Sequence, residues 1–232
     1  MKKFYFLPPF ITQTLVWIPI RLTLWFFAHF EVRGFENIRQ LPRGIIFANN
    51  HGSELDPIII PASLPFLSRF SPIFYTSREK SFYKKSGWRQ RFYGGTFFKI
   101  LGAYSVHAGK HDYELSLKDH VNFLKNKMSI CIFPEGRKTT DGTIKEAHGG
   151  VAYLALQSSV PIVPVAIVGS YQMTLWEFLR RTRKISVIFG KPIFPNEIFK
   201  DLQTVTPTVE DYKAAAKMVM WRVHELILQV RL

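Results

Sequence analysis

The chain has 232 residues, which is enough for one domain with a sizeable apolar core. Its 31 Lys and Arg residues outnumber 17 Asp and Glu residues, and the formal net charge of +14 indicates an anionic partner. Composition leaves nucleic acid, anionic lipid and an acidic carrier protein open. The single cysteine, Cys131, excludes an internal disulfide and permits a cytosolic environment.

An apolar segment at residues 4–30 contains one formally charged residue, Arg21. Its basic start is typical of a signal peptide, but the run is long for one and an A-x-A-like cleavage site is missing. A transmembrane helix has enough length, since about 20 apolar residues suffice. However, a central arginine costs about 2.5–3.5 kcal/mol on insertion scales, and Pro19 also falls in the middle of the segment.

A helix that lies in the plane of one leaflet, or a pair of helices broken at Pro19, avoids this cost. Arg21 can then extend to the lipid headgroups while the apolar residues stay in the acyl region. A buried core helix is the alternative, although a core seldom absorbs so many large aromatic residues at a chain end. We therefore predict that residues 1–31 form a helical segment that attaches the chain to a membrane.

Residues 32–232 are predicted to form one α/β domain, because short apolar runs alternate with amphipathic stretches. This pattern favours a single layered domain whose largely parallel, mixed sheet is flanked by helices. No internal repeat or linker marks a second domain. The predicted strands cover residues 44–48, 129–133, 162–168 and 185–189, and the predicted helices start at Pro57 and near Ser116, Gly150 and Val209.

The stretch FANNHGSELDP follows the first predicted strand and places His51 five residues before Asp56. Asp56 and Pro57 have a purely structural interpretation, since Asp is a favoured N-cap and Pro is favoured at the first helical position. In the catalytic interpretation, His51 lies at the C-terminal end of a strand, where open sheets place their ligands. Asp56 then orients the imidazole and stabilises the imidazolium. The pair would be a general base without a nucleophile of its own, since the chain has no G-x-S-x-G.

The stretch IFPEGRKTTDG, residues 132–142, places charged side chains directly after a buried strand that ends at Pro134. A solvated charged loop is the structural alternative. The stretch VPIVPVAIVG, residues 160–169, is an apolar strand with two prolines, Pro161 and Pro164. Proline suits the start or the edge of a strand and not a central ladder, so a specific feature is expected to shape this segment.

Together these stretches resemble the phospholipid/glycerol acyltransferase family from about Val32 to Pro192. NHxxxxD alone is weak support for that resemblance, but the order and separation of NHGSELD, FPEG and VPIVPV make it specific. The matching blocks are VRGFENI (32–38), NHGSELD (50–56), FPEG (133–136), VPIVPVAI (160–167) and FGKPI (189–193).

The resemblance implies a glycerol-phosphate acyltransferase-like fold and transfer of an acyl group from a thioester donor to the hydroxyl of a lysolipid. The donor would be acyl-CoA or an acyl carrier protein. The expected acceptor is 1-acylglycerol-3-phosphate, giving phosphatidic acid, and another lysolipid is the alternative. No metal or redox cofactor is expected, because the thioester supplies an activated acyl group. The chain would contact anionic membrane lipid on the cytoplasmic face.

The resemblance also assigns roles to individual residues. His51 would deprotonate the acceptor hydroxyl while Asp56 holds its ring, and such general-base assistance is worth about 10²–10⁴ in rate. The family usually continues FPEG with Thr-Arg-Ser, and residues 102–108 lack an arginine that a further family block carries, so Lys110 is expected to replace it. The substrate-binding candidates are Asn50, Glu135, Gly136, Arg137 and Lys138, with Lys110 and Thr139 as secondary candidates.

Two further features invite other functions. Between Arg69 and Arg91 there are seven basic residues, one acid and interleaved aromatic residues, a pattern that single-stranded nucleic-acid binders also carry. The apolar N-terminus argues against nucleic acid, and anionic headgroups or coenzyme A explain the same charge. His107 and His111 are spaced as metal ligands on a helix, but neighbouring glycines indicate loops and H-E-x-x-H is missing, so no metal is expected.

Overall fold

The computed structural model describes residues 5–78, 96–106, 112–200 and 207–231. Most of the basic aromatic stretch, the candidate Lys110 and the pair His107 and His111 lie outside the described residues. The motif-bearing segments all lie inside them.

Seven strands form one sheet, in the order β1-β7-β6-β2-β5-β3-β4. The five strands from β6 to β4 run parallel, β7 is antiparallel to β6, and β1 is parallel to β7. This confirms the predicted largely parallel, mixed sheet. The strands are β1 (Glu31–Arg33), β2 (Ile46–Asn49), β3 (Ile73–Arg78), β4 (Ala103–Val106), β5 (Ser129–Ile132), β6 (Ile162–Val168) and β7 (Ser186–Phe189).

Helices cover both faces of the sheet. Alternate strand residues point to opposite faces, so Ile46 packs with α4, α5 and α8 on one side, and Phe47 packs with α1 and α2 on the other. The helices are α1 (Leu7–Ala28), α2 (Asp56–Ser63), α3 (Thr96–Ile100), α4 (Tyr113–Lys125), α5 (Gly150–Ser158), α6 (Leu175–Leu179), α7 (Pro195–Ile198) and α8 (Val209–Arg231).

Pro164 lies inside β6, and the local pairing explains why the sheet accepts it. Val165 pairs with Phe189, and Ile162 pairs with Ile193. Between these two pairs, the segment after β7 has one residue more than β6, which makes a bulge. The carbonyl of Pro164 accepts a hydrogen bond from the N–H of Gly190 at 2.8 Å, so the side without an N–H faces this bulge. No ladder bond to β2 is lost, which satisfies the expectation that something specific shapes the segment.

Helix α1 is one continuous helix through Pro19, and it packs on the domain through its polar side chains. Gln13 Nε2 donates to the carbonyl of Ile73 at 2.8 Å, and Arg21 donates to the carbonyl of Ala62 at 2.5 Å. The expectation that Arg21 extends to lipid headgroups is therefore wrong, because its guanidinium is directed to a backbone carbonyl at the end of α2.

The opposite side of α1 is apolar and exposed. Among the described residues, α1 is the one helix long and apolar enough to cross a membrane by length and composition. The division into residues 1–31 and 32–232 stays a prediction. The exposed large apolar side chains of α1 are Leu7, Ile11, Leu15, Val16, Ile18, Leu22, Trp25 and Phe26.

Candidate functional site

The candidate site lies where β2, β5 and β6 end. These strands are parallel and in register, with Ala48 opposite both Ile132 and Pro164, so the loops that follow them emerge at the same edge of the sheet. The loop after β2 carries His51, the loop after β5 carries Glu135, and the loop after β6 carries Ser170. Open sheets bind ligands at such carboxyl ends.

His51 and Asp56 form a hydrogen-bonded pair, with 3.0 Å between Nδ1 and Oδ2. Asp56 is fully buried, and its Oδ2 also accepts the backbone N–H groups of Gly52 at 2.8 Å and Ser53 at 2.7 Å. Its second oxygen, Oδ1, accepts the hydroxyl of Ser170 at 2.9 Å. Both carboxylate oxygens are therefore fixed by buried or half-buried donors.

The expected N-cap role of Asp56 is wrong. Helix α2 begins at Asp56 itself, so Leu55 occupies the N-cap position and no side chain caps the helix. The carboxylate turns back to the preceding loop and binds Gly52 and Ser53 there. Asp56 thus organises the loop that carries His51 rather than the helix that follows it.

Three further contacts fix His51. Its ring stacks on Phe133 with 4.1 Å between the ring centroids, its N–H donates to Glu135 Oε1 at 2.9 Å, and its carbonyl accepts from the N–H of Thr139 at 2.9 Å. With Asp56 as acceptor, Nδ1 carries the ring proton and Nε2 keeps a lone pair. No described residue is hydrogen-bonded to Nε2, and the side chain is 18% exposed.

Glu135 is buried and holds two loops together. Its Oε1 accepts from the N–H of His51, and its Oε2 accepts from the N–H of Lys145 at 2.8 Å. Burial raises the pKa of Glu135, and the two backbone hydrogen bonds oppose that rise. In this arrangement the carboxylate positions the backbone of His51, and its expected contact with substrate stays a prediction.

Asn50 likewise uses its side chain within the protein. Its Oδ1 accepts from the N–H of Ile167 at 2.8 Å, and its Nδ2 donates to the carbonyl of Ile167 at 2.9 Å. This pair of bonds ties the end of β2 to β6. The amide holds the strand end that precedes His51, and binding of substrate by Asn50 also stays a prediction.

The two basic candidates differ in their surroundings. Lys138 Nζ lies 2.9 Å from Oε1 of Glu54, so this exposed ion pair bridges the loops after β2 and β5. Arg137 is exposed and is not hydrogen-bonded or ion-paired to any residue in the described part of the chain. Arg137 therefore has its guanidinium available for an anion, whereas Lys138 would have to leave a carboxylate.

Gly136 and Thr139 lie directly before and after Arg137 and Lys138, and they shape this turn. Gly136 has φ +65°, and a Cβ there would come within 3.0 Å of the ring of His148. The hydroxyl of Thr139 donates to Asp141 Oδ1 at 3.0 Å. Both residues therefore have a local structural role, and their assignment to substrate stays a prediction.

Ser170 was missed by the sequence analysis. It lies 114 residues after Asp56 along the chain and is 2% exposed, yet its hydroxyl contacts the carboxylate that holds His51. No motif marks a lone serine. The available signal was its position two residues beyond a strand expected at the same edge of the sheet.

Comparisons with known proteins agree with this architecture. A protein-family model described as Acyltransferase matches residues 29–168. A probable 1-acyl-sn-glycerol-3-phosphate acyltransferase from Mycoplasma pneumoniae is 26% identical over 165 residues, covering 66% of this chain and 58% of the relative. A lyso-ornithine lipid O-acyltransferase from Pseudomonas aeruginosa is 28% identical over 154 residues, covering 63% and 53%. The chain thus spans about half the length of these curated relatives.

A solved structure has the same fold. The crystal structure of the 1-acyl-sn-glycerophosphate (LPA) acyltransferase PlsC from Thermotoga maritima superposes with a TM-score of 0.58 and 21% sequence identity. The match covers 93% of this chain and 82% of that one. At this identity the likeness concerns the fold.

Proposed function

This chain belongs to the acyltransferase family, and from that membership we propose that it transfers an acyl group from a thioester donor to the hydroxyl of a lysolipid. The observation that supports the reaction best is the His51–Asp56 pair. The Nδ1 of His51 is bonded to a buried carboxylate at 3.0 Å, the side chain is 18% exposed, and the residue follows β2 at the carboxyl ends of the parallel strands. A base held in this way suits an acceptor that supplies its own nucleophile.

In the proposed mechanism, His51 Nε2 removes the proton of the acceptor hydroxyl as the oxygen attacks the thioester carbonyl. The tetrahedral intermediate then breaks its carbon–sulfur bond, and the imidazolium returns the proton to the departing sulfur. Asp56 stabilises the imidazolium between these steps. Ser170 is assigned as a positioning residue, because its buried hydroxyl donates to the second oxygen of Asp56 and would act through that carboxylate.

We propose 1-acylglycerol-3-phosphate as the acceptor and phosphatidic acid as the product, in phospholipid biosynthesis. Support comes from the name of the Mycoplasma relative and from Arg137, whose exposed guanidinium has no partner among the described residues and follows the Glu135 turn. Arginine binds a phosphate through two parallel hydrogen bonds, which a lysine cannot match. The phosphate would then lie beside the loop that carries His51.

Another lysolipid acceptor is the second candidate. The relative named a lyso-ornithine lipid O-acyltransferase is 28% identical to this chain, close to the 26% of the Mycoplasma relative. Sequence identity therefore does not separate the two acceptor classes. The departure from the usual Thr-Arg-Ser after FPEG also favours testing several acceptors.

The proposed donor is acyl-CoA or an acyl carrier protein, and no metal or redox cofactor is needed. The exposed apolar side of α1 and the net charge of +14 support attachment to an anionic membrane surface, with the domain on the cytoplasmic face. The same charge serves a nucleotide-containing or acidic donor. Nucleic acid is not proposed as a partner.

An acyl-transfer panel tests the function. Purified full-length protein is given several lysolipids with acyl-CoA and with acylated carrier protein, and product is measured by mass spectrometry. We expect His51→Ala to lower transfer by about 10²–10⁴ and to leave the fold intact, which a melting curve measured beside the assay checks. His224→Ala is the matched control, because His224 lies on α8, which packs on the face of the sheet that carries Ile46. Near-normal turnover by His51→Ala would refute the general-base assignment, and no transfer with any pair would refute the reaction.

A further inference from the structure

Helix α6 exposes an unusual amount of apolar surface for its length. Of its five residues, Leu175 and Trp176 are each 69% exposed and Leu179 is 45% exposed. Only Phe178 packs inward, against Phe27 of α1 with 5.2 Å between the ring centroids. Single exposed apolar residues are ordinary, but a contiguous cluster indicates a binding surface.

Two arginines border this cluster. The guanidinium of Arg180 lies 5.7 Å from the ring centroid of Trp176, and that of Arg181 lies 4.5 Å from the ring centroid of Phe26. Neither is paired with a carboxylate of a described residue, whereas nearby Arg183 is bonded to Glu177 at 2.9 Å. The rim of the apolar cluster thus carries two exposed positive charges without a neutralising partner in the described part of the chain.

The cluster continues into the exposed side of α1. The ring of His29, directly after α1, is hydrogen-bonded to the carbonyl of Arg181 at 3.1 Å. Trp25 is 65% exposed and Phe26 is 46% exposed beside it. A surface cavity of about 400 Å³ lies between the two elements, lined by Trp25, Phe26, His29, Phe30 and Arg181.

This surface also lies at the edge of the sheet that carries His51. The carbonyl of Ala28 accepts from the N–H of Ile185 at 2.8 Å, and the next residue, Ser186, pairs with Val168 at the end of β6. The end of α1 is therefore at the edge where β6 ends. Helix α6 starts five residues after Ser170, whose hydroxyl contacts Asp56.

We propose that the segment Leu175–Arg181 is a second membrane-binding element, which inserts shallowly into an anionic bilayer beside the C-terminal end of α1. Trp176 and the two leucines would occupy the boundary between headgroups and acyl chains, where tryptophan is favoured, and the arginines would contact lipid phosphates. An acidic protein would match the arginines, but the apolar cluster continues into the exposed apolar side of α1, for which membrane attachment is proposed above, and this continuity favours lipid. The proposal does not depend on acyl transfer.

Vesicle flotation of the full-length chain tests this element. Leu175→Ser/Trp176→Ser should weaken binding to vesicles of phosphatidylcholine and phosphatidylglycerol by tenfold or more, because two large apolar side chains can no longer be buried in the bilayer. Trp221→Ser is the matched control, because Trp221 is 61% exposed on α8, at the opposite face of the sheet. This control should bind as the unchanged protein does.

A charge variant separates lipid phosphate from apolar contact. Arg180→Gln/Arg181→Gln should weaken binding to the anionic vesicles by about fivefold for each arginine and leave the weak binding to pure phosphatidylcholine unchanged. All these side chains are exposed, so circular dichroism and the melting temperature should match those of the parent chain.

The remaining outcomes distinguish α6 from α1. Leu22→Ser/Trp25→Ser, on the exposed side of α1, should also weaken vesicle binding. If that variant loses binding and both α6 variants keep it, attachment by α1 stands and the proposed role of α6 is wrong. If the arginine variant keeps vesicle binding but loses transfer from acyl carrier protein only, the surface binds the carrier and the proposal is equally wrong.

Discussion

Replacing Ser170 by alanine tests whether Asp56 has to be held at both oxygens to position His51. The substitution removes the hydrogen bond that Asp56 Oδ1 accepts from Ser170 and leaves the contacts of Oδ2 with His51, Gly52 and Ser53 in place. Because Asp56 is fully buried and Ser170 is 2% exposed, the abandoned oxygen has no direct access to solvent. The carboxylate is then held through Oδ2 alone.

The size of the effect on kcat follows from the kind of hydrogen bond that is lost. A hydrogen bond to a charged group contributes about 1.5–3 kcal/mol. If all of this is lost in the transition state, kcat falls about tenfold to 150-fold, since 1.36 kcal/mol corresponds to a factor of ten. If it is lost from folding instead, the free energy of unfolding falls by a similar amount and kcat of the folded protein is unchanged. We expect most of the loss in kcat and little change in KM, because Ser170 is buried and its hydroxyl is bonded to Asp56.

The assay is acyl transfer at a temperature where both proteins are fully folded, with kcat and KM determined separately. Ser170→Thr keeps the hydroxyl and should recover most of the rate. Ser63→Ala is the control for losing a buried hydroxyl elsewhere, since Ser63 donates to the carbonyl of Ile60 at 2.6 Å on α2. Wild-type kcat in Ser170→Ala, or equal losses in the alanine and threonine variants, would show that the serine only fills space.

Three other substitutions test separate parts of the protein. Asp56→Asn should lower kcat by about 10²–10⁴, and a melting curve measured beside it will show any loss of fold. Arg137→Ala should lower kcat/KM tenfold to a hundredfold for 1-acylglycerol-3-phosphate but not for an uncharged monoacylglycerol; Lys138→Ala is the comparison, and equal losses on both lipids would place the phosphate elsewhere. Burial lowers the pKa of His120 from 6.5 to about 4, so the unfolded chain takes up this proton first and stability is lost as pH falls from 6.5 to 4. Between pH 6.5 and pH 4, the free energy of unfolding measured in urea should fall by about 3 kcal/mol less in His120→Gln than in the parent chain. An unchanged pH dependence would contradict this.

The strands that the sequence predicts are the ones buried inside the sheet. β2, β5, β6 and β7 have neighbours on both sides and helices on both faces, so they appear as continuous apolar runs. The strands that were missed lie at or next to the edges. β1 and β4 are the two edge strands, and Glu31–Arg33 is too short and polar to give a strand pattern. β3, which lies next to β4, ends in Thr, Ser and Arg.

The site divides in the same way between local and distant contacts. The His51–Asp56 pair spans five residues of one loop and one helix start, so spacing alone predicts their contact. The partners of Glu135 and Asn50 are backbone groups on other segments, and Ser170 is 114 residues from Asp56. Such contacts depend on which strands become neighbours, and a chain order β2, β5, β6 does not reveal the sheet order β6-β2-β5.

The two buried carboxylates explain how a partly exposed histidine can be held rigidly at the end of a sheet. Asp56 fixes the ring of His51 through Nδ1, while Glu135 fixes its backbone through the N–H. Asp56 also binds Ser170 in the loop after β6, and Glu135 also binds Lys145 within the loop after β5, so three loops share these two anchors. A base fixed before substrate arrives needs no reorganisation during the reaction. Asn50 and Glu135, which the family resemblance assigns to substrate, have their side chains hydrogen-bonded within the protein, where they hold the segment of His51; binding of the acceptor by Arg137 stays a prediction.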